Sequence, residues 1–454
     1  MIGARRPTTR RNIPVNRADV RIALVVPCAW LLAGAASAPG VEFETVPDRT
    51  PGELLPAAMV SGPGYKVVDP VHGDGLMNHF VLDSRFGRYD AYGRAALAIR
   101  IREVAALTEL AATSDVQVAA TGVVQGVESQ VKTAADVVTH PVQTVTGIPK
   151  GIAHLFGGYK ARGEEAGEEA KSAVDSARAP STGARVAAAG RKGEKAARSY
   201  AERYLGVTAA ERDYYHKLGV DPYTDNKVLR DAIRHAARIA AGAGFSVRFV
   251  GLPAIPGIGI AQRTVDAIYN EDPAVMRERT RKTLVGFGLN DVEIEGFMNA
   301  PLLSPTRQLV LLSAVEALGG VAQRGELLRH AIGLTSDEEV QVYLRSAGLL
   351  ARVHASYPLT AVMAGLRLPA ALRADGGIVV CGAFESLYWT EDVSQLERQL
   401  WTALPPHTPL GREFWITGTL SKRAQRAAQD LGWELHQAPD EASDSSSDNS
   451  KHFP

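Results

Sequence analysis

Two short stretches gather side chains that could do chemistry. His72, Asp74, His79 and Asp83 lie close together, and two imidazoles with two carboxylates are the ligand types that hold zinc or a similar divalent ion. Their spacing is not the helical His pair of zinc hydrolases, and His72-Gly73-Asp74-Gly75 also reads as turn chemistry. The second stretch is Thr417-Gly418-Thr419-Leu420-Ser421-Lys422, placed where a strand hands over to a helix. Backbone amides at a helix start, two hydroxyls and one ammonium could face an anion there, which makes Gly418, Thr419, Ser421 and Lys422 an anion-binding candidate. The competing reading is that Thr419 or Ser421 only caps the helix. Ligands of open parallel sheets bind beyond the carboxyl ends of the strands, so Gly365, Gly382, Glu385 and Ser386 belong to the same expected crevice.

Nucleophilic chemistry has little support. Cys381 sits between Val380 and Gly382 on an expected interior strand, where a thiol behaves as a small apolar group. Ser386 lacks the glycine frame of a nucleophile elbow, and no glycine-rich phosphate loop occurs. The balance falls against an enzyme, and no cofactor is expected. A hydrolase working at the strand ends of residues 365–422 remains the alternative, because catalytic groups assemble from distant positions.

The elements that must position these residues follow from local patterns. Residues 359–365, 377–382, 413–418 and 433–436 read as short strands, with helices over 393–404 and 422–431. This alternation predicts a small α/β domain over 357–437 with a mostly parallel sheet. Within it, Phe414 to Gly432 resembles the FxxTGxL opening and following helix of a BRCT domain, a likeness that implies phosphopeptide or DNA-end binding. The likeness ends there: the spacing after Thr417-Gly418-Thr419-Leu420 is shorter than in that family, and the rest of its core is not recognisable, so it is not adopted.

Residues 205–356 predict a helical domain. Thr208 with Glu211, Asp272-Pro273, Ser304-Pro305, and Ser336 with Glu339 each place a capping residue ahead of a first turn, and Asp225 is expected to cap another helix. Residues 245–261 are apolar but interrupted by Gly and Pro, which suits a buried loop or an interface. Upstream, 65–158 reads as a hairpin pairing Tyr65–Val68 with Phe80–Leu82, followed by amphipathic helices. Residues 39–64 read as an extended leader, 159–204 as a low-complexity linker, and 438–454 as a disordered tail. The fold class is therefore α+β and mainly helical.

The most regular pattern runs from Ala120 to Leu155. Val124, Val127, Val131, Val138, Val145, Ile148, Ile152 and Leu155, with Ala120, Ala134 and Pro141, alternate steps of four and three, which keeps one helix face apolar. Glycines and prolines lower its intrinsic helicity, so something must cover the stripe. Three covers are open: the protein's own helices, a lipid or membrane surface, or a protein partner such as a second copy. Lipid contact through residues 116–158 is the sharpest expectation.

Arg21 to Ala38 gives the address. A positive charge, a short apolar run and a small-residue finish describe a secretory signal peptide over 1–38. The run is too short to cross a bilayer, and cleavage after Ala36 avoids placing Pro39 directly after the cut. A start site assigned too early, with translation beginning near Val20, explains the long charged head better than a twin-arginine signal. Of two cysteines only Cys381 would remain after cleavage, so no intramolecular disulfide forms. The 50 basic and 50 acidic residues balance to a formal charge of zero, which gives nucleic-acid binding no support. The expectation is an exported, periplasmic or envelope-associated binding or scaffold protein.

Overall fold

Capping chemistry sets the helical framework. In the computed structural model, which describes residues 43–112, 204–243, 262–404 and 411–438, Thr208 opens a helix by accepting a hydrogen bond from the Glu211 amide while Glu211 accepts one from the Thr208 amide. Asp272, Ser304 and Ser336 likewise accept from the amides of Ala274, Arg307 and Glu339. Each bond satisfies an amide that a helix start leaves without a partner. The signal segment 1–38, the stripe of 116–158, linker residues 159–203, the loop 245–261 and tail residues 439–454 lie outside the described residues.

The fold is mixed α+β. Its first part is an antiparallel sheet of β1 (Ser61–Gly62), β2 (Tyr65–Val67), β3 (His72–Gly73), β4 (Asn78–Ser84) and β5 (Gly87–Tyr92). The expected pairing of 65–68 with 80–82 is present, with Val67 opposite Leu82, but as part of this larger sheet. Phe80 and Leu82 alternate inward on β4. They meet Leu97, Val104 and Leu107 of α3 (Arg94–Ala112). The extended-leader reading of 39–64 needs correction, because the chain forms α1 (Pro51–Leu54), α2 (Ala57–Val60) and β1 there. Thr50-Pro51-Gly52-Glu53 is itself a helix start, with the Thr50 amide donating to Glu53 at 3.2 Å, and Leu55 is buried.

The helical part comprises α4 (Ala209–Leu218), α5 (Lys227–Ala243), α6 (Gln262–Asn270), α7 (Pro273–Gly286), α8 (Asp291–Met298), α9 (Pro305–Ala317), α10 (Gly325–Ile332) and α11 (Asp337–Ser356). Asn226, not Asp225, caps α5 by accepting from the Leu229 amide at 3.1 Å. Helices α9 and α11 lie side by side in the same direction. Arg307 and Asp337 pair at 2.6 Å near their N-termini, while His354 lies 3.2 Å from the Gly319 carbonyl at the other end.

The second sheet runs β12-β10-β8-β7-β6, built from β6 (Leu359–Val362), β7 (Ala370–Arg373), β8 (Ile378–Gly382), β10 (Arg412–Ile416) and β12 (Trp433–Gln437). The last three strands in chain order are parallel, joined through α12 (Glu391–Ala403) and α13 (Lys422–Asp430); β6 and β7 add an antiparallel edge, so the sheet is mixed rather than mostly parallel. Short β9 (Ser386–Leu387) and β11 (Thr419–Leu420) pair beyond the strand ends. Alternation along β8 sends Val379 and Cys381 into the helical core and Ile378 and Val380 toward Leu396, Phe414 and Trp433. The helical and α/β segments thus share a continuous core.

Candidate functional site

Three helices leave a cleft of about 1260 Å³ between them. One face of α3 is spent on the first sheet, and Ala95, Ala98, Ile99 and Arg102, at helical spacing, turn a second face to the cleft. Val310, Ser313, Ala314 and Ala317 of α9 form another wall, and Gln341, Arg345, Gly348, Arg352 and Ala355 of α11 a third.

The end near the starts of α9 and α11 is dense in fixed charge. Arg100 of α3 holds Asp225 through two hydrogen bonds of 2.7 and 2.9 Å and reaches Glu103 at 2.9 Å. Glu103 is buried and also accepts from Thr224 Oγ1 and, at 3.0 Å, from Asn226 Nδ2. Burial alone would raise Asp225, but the Arg100 hydrogen bonds and charge outweigh it and bring the carboxyl below its ordinary value. Asp221 moves the other way: burial raises it, against the opposing hydrogen bonds from Thr306 at 2.6 Å and the Tyr223 amide at 2.9 Å. Burial also lowers Arg102, and with the neighbouring Asp221 charge pushes Tyr269 up to about 12. The rim therefore carries charges held in place by buried partners, suited to orienting a polar group without reorganisation. His79, on the wall, pairs through Nε2 with Asp90 at 3.0 Å rather than with a hydroxyl.

No protein-family model, curated protein or solved structure matches this chain. The cleft's geometry has to carry the functional argument by itself.

The four metal-ligand candidates each have other surroundings. His72 and His79 are cross-strand neighbours, but His72 Nδ1 pairs with Asp48 at 2.7 Å and His79 with Asp90. Asp74 Oδ1 accepts the amides of Leu76 and Met77 at 2.8 and 2.7 Å, and Asp83 is exposed. Among the described residues no group of three such side chains is arranged for a metal ion. Asp74 serves the turn between β3 and β4, while His72, His79 and Asp83 lie on the two strands that the turn joins.

The anion candidates do come together, but the Thr419 and Ser421 amides and the Ser421 hydroxyl already have partners. The Thr419 amide donates to the Glu385 carbonyl, the Ser421 amide to that of Leu387, and the Gly418 carbonyl accepts from Gln437. Ser421 caps α13 by accepting from the Ala424 amide at 2.9 Å, and Lys422 is exposed. An acidic group does sit there, but it belongs to the chain: Glu44 accepts from Ser421 Oγ and the Trp389 amide, both at 2.6 Å. Gly418 serves close packing, since a Cβ would lie 2.0 Å from the Glu385 carbonyl oxygen.

The crevice beyond the strand ends is filled in the same way. The Leu76 carbonyl accepts the amides of Glu385 and Ser386, and the Gly75 carbonyl that of Tyr388. Glu385 accepts from Asn78 Nδ2 at 2.8 Å and from the Arg94 amide. Asp74 beside it is pushed up to about 7, by burial first and by the Glu385 charge as a smaller contribution. Cys381 is buried, which raises its thiol. The lipid-contact residues Val124, Val127, Val131, Val138, Val145, Ile148, Ile152 and Leu155 lie outside the described residues. Among those described, no helix is long and apolar enough to cross a membrane.

Sequence reasoning missed the cleft because its walls come from segments far apart in the chain. One signal was available: Gly348 interrupts an otherwise strong α11 pattern with no turn to require it.

Proposed function

We propose that this chain is an exported, envelope-associated binding or scaffold protein whose ligand occupies the cleft of α3, α9 and α11. One observation carries the reading: the cleft combines a volume above the ~300–1000 Å³ of drug-sized sites with charged groups fixed at one end and small side chains along much of its α3 and α9 walls. Export rests on Arg21–Ala38, and lipid contact through residues 116–158 on the apolar stripe. The hydrolase alternative draws no support from the strand ends, where the chain's own loops take the polar groups.

Native mass spectrometry of the full chain purified without denaturation tests the cleft. A bound mass that is lost on unfolding and reduced in Gly348→Leu is expected. A ligand-free mass, with no melting shift from a panel of acids, bases, neutral polar compounds and amphiphiles, would sink the reading. For the stripe, liposome flotation should be lost on placing Asp at Val127, Val131 and Val138 while the rest stays folded.

A further inference from the structure

We infer that the cleft takes an uncharged molecule with an apolar body and a neutral polar end, of the class of long-chain alcohols and esters; this rests on reading the cleft as a ligand site. Among the described residues, as many carboxylates as guanidiniums line it, and they are spent on one another or on polar groups of the chain. Arg100 takes Asp225 and Glu103, and Arg307 takes Asp337, which also accepts from Gln341 Nε2 at 2.9 Å. Asp221 has the Thr306 hydroxyl, and Asp90 has His79. Arg102 and Arg230 donate to the carbonyls of Gly219 and Thr224 at 3.4 and 3.3 Å, and Arg345 and Arg352 are engaged as well. Glu338 lies in the first turn of α11, where a negative charge suits the helix end.

An ion entering this cleft would meet both signs, each already compensated. It would shed its water without gaining a counter-charge, or it would break a pair and strand the other half. A hydroxyl or ester carbonyl asks for less, because a paired carboxylate keeps spare lone pairs and a paired guanidinium keeps spare N–H groups. Between the charges the walls are apolar. Ile99 of α3 and Val310 of α9 are half-buried and line the cleft, with Ala98 and Ala314 on the same walls, and an added Cβ at Gly348 of α11 would meet nothing within 4 Å. Covering such surface strengthens binding by about fourfold for each methylene. Hydrocarbon therefore supplies the affinity, and the held charges orient the polar end.

The experiment is isothermal titration of the full chain at neutral pH with hexanol, octanol and decanol, and with octanoate and octyltrimethylammonium, all kept below the concentrations at which they aggregate. Saturable binding of the alcohols is expected, tightening about fourfold per methylene, with both charged probes at least about tenfold weaker than octanol. Val310→Asp should abolish it; circular dichroism and melting confirm folding, and Val310→Thr, expected to weaken octanol several-fold, replaces the aspartate variant if the latter melts early. A charged probe that binds as tightly as octanol, or alcohols whose affinity does not grow with length, overturns the ligand class. If that binding is still weakened at Val310, the cleft remains a ligand site with another occupant. Alcohol binding that the Val310 variants leave untouched lies elsewhere and overturns the proposal. Binding of no probe overturns it too, and the mass spectrometry above then decides the cleft separately.

Discussion

Replacing Asp74 by asparagine isolates the buried carboxyl at the junction of the two sheets. Oδ1 is held by two backbone amides, whereas Oδ2 is buried without a hydrogen-bond partner among the described residues. Raising this group from an ordinary 3.8 to about 7 means that the native state retains a proton the unfolded chain has released. Stability therefore falls as pH rises through this window: the penalty is absent below the unfolded value and complete above about 7, where linkage makes it on the order of 4 kcal/mol. The substituted side chain would keep the acceptor for both amides and remove the charge, but would leave an amide nitrogen where Oδ2 lacks a partner, a cost of about 1–3 kcal/mol. Asp74→Asn should therefore be more stable than the parent by roughly 1–3 kcal/mol at about pH 8, and the gain should vanish or reverse near pH 4. Urea unfolding of both proteins across that range measures it. A difference between them that stays flat with pH, or grows toward acid, would refute the reasoning.

Other substitutions probe the cleft and core. Arg100→Met leaves Glu103, whose side chain is 2% exposed, without its cation and should lower stability by about 3–5 kcal/mol in urea titrations. Gly348→Ala should raise stability by up to ~1 kcal/mol, whereas Gly418→Ala, with its Cβ 2.0 Å from the Glu385 carbonyl oxygen, should lower it by about 3 kcal/mol or more; calorimetry of the pair separates a glycine kept for space from one kept for contact. In a Cys28→Ser background, a thiol reagent should leave the folded protein unmodified at about pH 8 and react with Cys381 only on unfolding, since burial raises that thiol.

What could be read from the sequence was local. The helix starts at Thr208, Asp272, Ser304 and Ser336 were legible because a capping oxygen and the amide it serves lie within three residues. Strands β8, β10 and β12 were legible as short apolar runs ending near turns. Strand β7 was not, since Ala-Ala-Leu-Arg has no strand-favouring composition and takes its form from its neighbours β6 and β8. At the strand ends, Thr419 and Ser421 offered donors whose partners could not be read locally: Glu385 and Leu387 lie on another strand connection, and Glu44 comes from the far end of the described chain. The cleft failed for the same reason, because Arg100 and Asp225 meet only once α3 and α5 are packed.

The bond from Ser421 to Glu44 spans 377 residues, and its neighbours, from Trp389 to Glu44 and from Glu385 and Ser386 to Leu76, are comparably distant. Contacts this remote form late, since the intervening loop must close before they gain anything. A ribosome releases the first sheet long before the strand ends that seal its edge. Until then Asn78, Arg94 and the Leu76 carbonyl lack the partners that fix them. A chain whose beginning is fastened by its end stays incomplete throughout synthesis, which suits the export proposed above, in which a polypeptide is threaded through a membrane before it folds.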